Sequence, residues 1–446
     1  MFRPDFSDEC TSSLFEYWSS PPTDISIQSS MYHASHPISP LVHGAPIQFI
    51  IKRSDQFYLD LSSTFLSLQV EIQNENGTPI TAVVKDQQGA YVSGDRVAPV
   101  CGLLQSLFSQ VEVVLGETQI TDNIPINPYI SYLQNLFCYS EDASKSWLRS
   151  ALFKIDESGK FADTDPSLAK SNSSLKWRGK SFGPGKIVPI MGKIHSDILT
   201  IDKPLLNNID LKIKLIRSKD FFPLISVDDK NYRVFIHSAQ VFVRRILPAP
   251  PMILAHERQL RQSNAKYHFI QNNIQFIHIP IGVQSFQRDQ INFSADLPKF
   301  IMLGLITDAQ LNKTNHQVNP FEFNFHNLTE CRVTKDNTDC HLSPIKISEN
   351  NTMNAYQTLF VSSAEGIFSN DSVRISPEDY ANGFALMLFN LEPNPCNEHL
   401  APISKANISV SLTFDKPISG ALNLMIFSAK DAFLQIDSSR RCFIET

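Results

Sequence analysis

Glycine is scarce and long apolar runs are missing. Of 446 residues only 16 are glycine, against 27 prolines and 31 phenylalanines. No stretch approaches the roughly 18 unbroken apolar residues of a membrane-spanning helix, so no membrane insertion is expected. The proline load excludes long uninterrupted helices, because each proline removes a backbone donor and clashes with the preceding turn. Basic excess is absent too: 39 Lys and Arg face 45 Asp and Glu, a net charge of −6. A dedicated nucleic-acid binder needs the opposite balance, which leaves at most a local basic face. Seven cysteines, an odd number scattered from Cys10 to Cys442, form no disulfide framework and read as free thiols of a reducing compartment. The opening MFRPDFSDEC carries acids and a proline where a secretory signal needs a basic start and an apolar core, so export by that route is not expected.

Recognisable chemistry is equally sparse. Gly183-Pro184-Gly185-Lys186 is the nearest approach to a phosphate loop, but its spacing is wrong and Pro184 removes a donor. No G-x-G-x-x-G or H-E-x-x-H occurs. Cys331, Cys340 and His341, with His326, Cys396 and His399, lack the close ligand pairs of a structural zinc site. The carboxylates Asp55, Asp60, Asp210, Asp220, Glu378 and Asp379 show no pairing that marks an acid and a base. No catalytic residue, cofactor or metal is therefore expected, and the chain is not read as an enzyme.

What is present is alternation, which places every second side chain on one face of a sheet. Leu66, Leu68, Val70 and Ile72 alternate with polar residues up to the turn signal Asn76-Gly77. Val111, Val113 and Leu115 alternate likewise, as do Ile209, Leu211, Ile213 and Leu215. Phe321, Phe323 and Phe325 and then Ile408, Val410, Leu412 and Phe414 repeat the pattern, and Leu422, Leu424 and Ile426 continue it. One wet and one dry face per strand predicts antiparallel sheets packed as sandwiches. Helical spacing is confined to short stretches: Tyr129, Tyr132, Leu133, Leu136 and Phe137 behind Asn127 as N-cap and Pro128 at the first helical position, and the capped turn Ser376–Tyr380.

The organisation follows from composition. Residues 1–45 are rich in Ser and Pro, with spaced rings at Phe2, Phe6, Phe15 and Trp18, and read as an extended arm that buries those rings on a surface. Pro248, Pro250 and Pro251 end a strand and open a linker with a short helix, 248–265. The expected division is an arm at 1–45, one sandwich at 46–247 and a second at 248–446, each large enough for eight strands with long loops.

Several blocks carry a more specific signal: the stretches 21–51, LLQSLFSQVEVVLGETQIT (103–121), NPYISYLQNLF (127–137), the stretch 194–222, VFVRRI (241–246) and SPEDYANGFALMLFNLEP (376–393). In this order they resemble the major capsid protein of Maverick/Polinton elements and adintoviruses. The resemblance implies an all-β, hexon-type double jelly-roll: two tandem jelly-roll sandwiches with an extended N-terminal arm and few short helices. It further implies a homotrimer with a pseudo-hexagonal outline, tiling an icosahedral virion shell assembled inside the host cell. Its partners would be neighbouring capsomers, a single jelly-roll penton protein, minor cement proteins and a maturation protease. Phe2, Phe6, Phe15 and Trp18 would clamp a neighbouring subunit. The pairs Arg244-Arg245 and Arg440-Arg441, at strand ends, would face an enclosed DNA genome and bind it weakly. The alternative is a tandem jelly-roll that binds carbohydrate or a receptor, since sandwiches of this kind also build lectins.

Overall fold

The computed structural model describes residues 15, 17–18, 20, 23–88, 90–121, 124–168, 170–291, 293, 297–340, 343–348, 351–361, 374–392, 400 and 404–445. Most of the alternating segments form strands. In the first half the strands of the two main sheets are β1 (Ile27–Ser35), β2 (Ile47–Ile51), β3 (Tyr58–Asn74), β4 (Phe108–Leu115), β5 (Thr118–Gln119), β6 (Val188–Lys193), β7 (Leu211–Arg217) and β8 (Tyr232–Pro248). They pair antiparallel as two four-stranded sheets, β1-β8-β3-β6 and β2-β7-β4-β5.

The second half repeats this order with no residue-level repeat in the sequence. Its eight main-sheet strands are β9 (Ala265–Ile279), β10 (Ser285–Arg288), β11 (Phe300–Thr307), β12 (Leu328–Lys335), β13 (Thr338–Asp339), β14 (Leu386–Asn390), β15 (Ile408–Phe414) and β16 (Leu422–Ile436), and the short stretch Ile345–Lys346 pairs beside β12. The sheets run β9-β16-β11-β14 and β10-β15-β12-β13, each strand eight places after its counterpart, and β17 (Cys442–Glu445) pairs with β16. Two facing sheets ordered 1-8-3-6 and 2-7-4-5 are a jelly roll, so the chain holds two in tandem.

The long excursions fall at equivalent connections of the two rolls: 75–107 and 308–327 between the third and fourth strands, 120–187 and 340–385 between the fifth and sixth. They merge into one core. The helix Asn127–Phe137 buries Tyr129, Tyr132, Leu133, Leu136 and Phe137 against residues of the second half. Tyr132 stacks flat on Phe321, with ring centroids 4.4 Å apart.

Three expectations change in detail. Phe321, Phe323 and Phe325 do not form a strand; they lie in the 308–327 connection, where Phe323 makes isolated bridges to Gly383 and Phe384. The alternation arose because Phe321 and Phe323 fill the core beneath the helix Asn127–Phe137. Asn127 is the first helical residue rather than the cap, and its Nδ2 donates to the Phe108 carbonyl at 3.2 Å. Residues 27–35, inside the stretch expected as arm, form the edge strand β1 on β8. Eight of its nine residues are exposed, so no wet and dry alternation marked it as a strand.

Candidate assembly surface

Strand register defines two ends. Tyr232 of β8 lies opposite Asn74 of β3, and Ile246 lies opposite Tyr58. The 75–107 connection leaves β3 at the Asn74 end, hereafter the loop end. The helix Pro250–Leu260 and the approach of the N-terminal segment to β1 lie at the Tyr58 end, hereafter the arm end.

The loop end is closed by buried polar contacts. Arg178 is fully buried and pairs with Asp156 at 2.6 Å. Its Nε donates to the Pro99 carbonyl at 2.8 Å and its Nη1 to the Lys154 carbonyl at 2.6 Å. Asp156 also accepts from Asn172 Nδ2 at 2.8 Å and from Asn319 Nδ2, in the second half, at 3.1 Å. A buried ion pair is tolerated only when its remaining donors and acceptors are satisfied in this way. Nearby, His316 accepts the Tyr232 backbone N–H at Nε2, and burial lowers its pKa to about 4. Lys313 donates to the Leu224 carbonyl at 2.7 Å, and burial lowers its pKa to about 7.

The arm end is open. An apolar groove of about 470 Å³ is lined by Ile27, Tyr58, Leu206, Ile246, Met252, His256, Leu260 and Tyr267 among others, with Lys203 and Lys266 among the lining residues. The Tyr58 hydroxyl hydrogen-bonds with His256 Nδ1 at 2.9 Å, which fixes the helix Pro250–Leu260 over β3. Sequence patterning predicted the helix but not the groove, because its walls come from segments some 200 residues apart.

The expected arm residues divide. Phe2 and Phe6 lie outside the described residues. Phe15 is 67% and Trp18 92% exposed, and Tyr17, not singled out from sequence, packs edge-on against Trp18 with centroids 6.0 Å apart. The structure brings Arg244, Arg245 and Arg440 to the arm end, where two of them hold the fold. Arg244 pairs with Asp60 at 3.4 Å and donates to Ser30 Oγ at 3.1 Å. Arg440, at a positive φ of 62°, pairs with Glu257 of the helix and donates to Asn207 Oδ1 at 2.6 Å. Partial burial lowers the pKa of Arg245. Arg441 pairs with Asp437 at 2.8 Å and keeps its side chain 79% exposed. Of the four, Arg441 is the one most available to a polyanion.

Among the described residues no group of three or more His, Cys, Asp or Glu is placed to hold a metal. Burial raises the Cys331 thiol to about 12 and raises that of Cys340, which opposes the thiolate form a metal needs; His341, Cys396 and His399 lie outside the described residues. One literal match to the hydrolase spacing G-x-S-x-G exists, Gly179-Lys180-Ser181-Phe182-Gly183. Ser181 caps the C-terminus of the helix Ser173–Lys180, whereas a nucleophile elbow requires a strand before the serine and a helix after it. No helix among the described residues is long and apolar enough to cross a membrane.

Two tandem eight-stranded rolls joined through their long connections are the double jelly-roll fold, and solved structures share it across nearly the whole chain. A chain of the Sputnik virophage, solved by cryo-EM, matches with a TM-score of 0.64 at 12% identity, covering 98% of this chain and 93% of that one. The mavirus major capsid protein matches with a TM-score of 0.54 at 12% identity, covering 98% and 95%. A chain from the PBCV-1 virus capsid gives a TM-score of 0.57 at 11% identity, covering 96% and 99%. In sequence, an uncharacterized protein of Caenorhabditis elegans, F54H12.2, is 19% identical over 443 residues, covering 96% of this chain and 99% of that protein. No family model matches the chain.

Proposed function

We propose that this protein is a hexon-type major capsid protein of the Maverick/Polinton kind. It would trimerise into pseudo-hexagonal capsomers that tile an icosahedral shell. The observation that carries the reading is the repetition of one jelly-roll strand order in both halves, with the long excursions at matching connections. That arrangement gives each subunit two similar lobes, so three subunits present six. Structural likeness to the Sputnik, mavirus and PBCV-1 chains over 96–98% of the chain supports the capsid part of this reading. The full-length relative from a nematode fits a capsid gene carried in an animal genome.

The reading extends to the partners. Sheet edges such as β1 invite pairing with other chains, and closed symmetry buries them. Penton and cement proteins would complete the shell, the N-terminal arm would couple neighbours, and DNA would be held only weakly through exposed charges such as Arg441. The test is light scattering with negative-stain microscopy of purified protein. The expected mass is about 151 kDa, three copies of 50.3 kDa, with hexagonal capsomers or shells in the images. A stable monomer at high concentration that binds a glycan tightly overturns the reading in favour of a binding module.

A further inference from the structure

We propose that the apolar groove at the arm end is the receptor for the aromatic N-terminal segment of a second copy of this chain, with Trp18 and Tyr17 as its anchors. The inference rests on the assembly reading above and names the contact that reading lacks.

Three observations converge. The groove is lined by Ser26 and Ile27, the point where the N-terminal segment joins β1, so it opens where such a segment arrives. The aromatic pair is left uncovered: Trp18 is 92% and Tyr17 73% exposed, and Ile25 is 80% exposed. A Trp and a Tyr each offer a large apolar body with one polar atom, suited to an apolar cleft containing His256 and the Tyr58 hydroxyl.

Charge agrees with this assignment. Residues 1–26 carry Asp5, Asp8, Glu9, Glu16 and Asp24 against a single arginine, Arg3, whereas Lys203 and Lys266 line the groove and are exposed. An acidic, aromatic segment and an apolar groove bearing lysines are complementary. Eight residues lie between Trp18 and Ile27, and the nine Cα–Cα steps reach about 30 Å when extended. That reach would also let the segment fold back on its own chain, yet among the described residues 15–25 none lines the groove. Exchange between copies satisfies both surfaces and ties the ordering of the segment to assembly.

Photocrosslinking in the full chain tests this. Benzoylphenylalanine is placed at position 18, and chains grown in heavy isotope are mixed with light chains before irradiation. The expected result is heavy-to-light cross-links mapping to residues 252–266, reduced at least tenfold by Ser263→Trp, which fills the groove from an exposed position, and weakened by Lys203→Glu/Lys266→Glu. Cross-links confined to single chains, cross-links elsewhere, or none at all overturn the proposal. Microscopy of the same samples keeps the two readings apart: shells without groove cross-links remove only the groove assignment, and groove cross-links without capsomers remove only the shell assignment.

Discussion

The two ends of the molecule solve opposite problems. At the loop end, connections from both rolls fold over one another, and buried charged groups among them, Arg178, Asp156 and Lys313, find partners within the chain. The Arg178–Asp156 pair, its carbonyl acceptors and Asn319 hold the first-half excursions to the second half. At the arm end the chain leaves an apolar groove open, an edge strand unpaired on one side and a tryptophan exposed. The first end supplies folding stability within one chain, and the second holds back surface for contacts between chains. Substitutions at the loop end should therefore change the stability of the subunit, and those at the arm end should change association.

The sharpest way to break this comparison is Arg178→Ala. It strands the Asp156 carboxylate, 1% exposed, and frees the carbonyls of Pro99 and Lys154. Removing one partner of a buried pair costs about 3–5 kcal/mol, read as a lowered midpoint in denaturant unfolding. Removing residues 1–22 should leave that midpoint within about 0.5 kcal/mol, because surface changes away from buried groups are close to neutral. A small effect of Arg178→Ala would mean that the loop end is not the cohesive one.

Acidification comes next. His316 is buried with its pKa lowered from 6.5 to about 4, so below pH 6.5 the unfolded chain takes up a proton that the folded chain refuses. Stability should fall as pH drops from 6.5 towards 4, by up to about 3 kcal/mol at this one residue. Lys313, lowered from 10.5 to about 7, adds the same sign at higher pH: its cost is complete below 7 and disappears above 10.5. His316→Gln keeps an acceptor for the Tyr232 N–H and should make the melting-temperature curve shallower between pH 4 and 6.5, with the rest of the slope left to His195, which burial also lowers to about 4. An unchanged slope would show that the loop end does not carry this proton linkage.

The centre of the strand framework was legible in the residues. The alternations at 66–72, 111–115, 209–215 and 408–414 contribute β3, β4, β7 and β15, because each of these strands has one face on a core, and 422–426 opens β16. Legibility failed where a strand or loop is covered in another way. Strand β1 has no dry face, so IQSSMYHAS gives no period. The first half of β16 is buried on both faces under the excursions, so Asn423, Met425 and Phe427 are as hidden as the residues between them. Phe321 and Phe323 imitate a strand because a helix from the other half covers them. The candidate site was legible only as an aromatic N-terminal segment and two arginine pairs. The groove, and the use of Arg440 to anchor the helix Pro250–Leu260, depend on residues remote in sequence.

The smallest expected effect separates structural from available charge at the arm end. Arg440→Glu reverses the charge facing Glu257 and removes the hydrogen bond to Asn207, so it should loosen the helix Pro250–Leu260 and lower stability. Arg441→Glu loses only an exposed pair with Asp437, and such pairs contribute about 0–1 kcal/mol. Its melting temperature should stay close to that of the unaltered protein, while retention on a DNA or heparin column should shift to lower salt, since each lost phosphate contact reduces the salt dependence by about one ion. Equal retention for Arg441→Glu and the unaltered chain would show that Arg441 contributes no contact with a polyanion, leaving the arm end to meet protein alone.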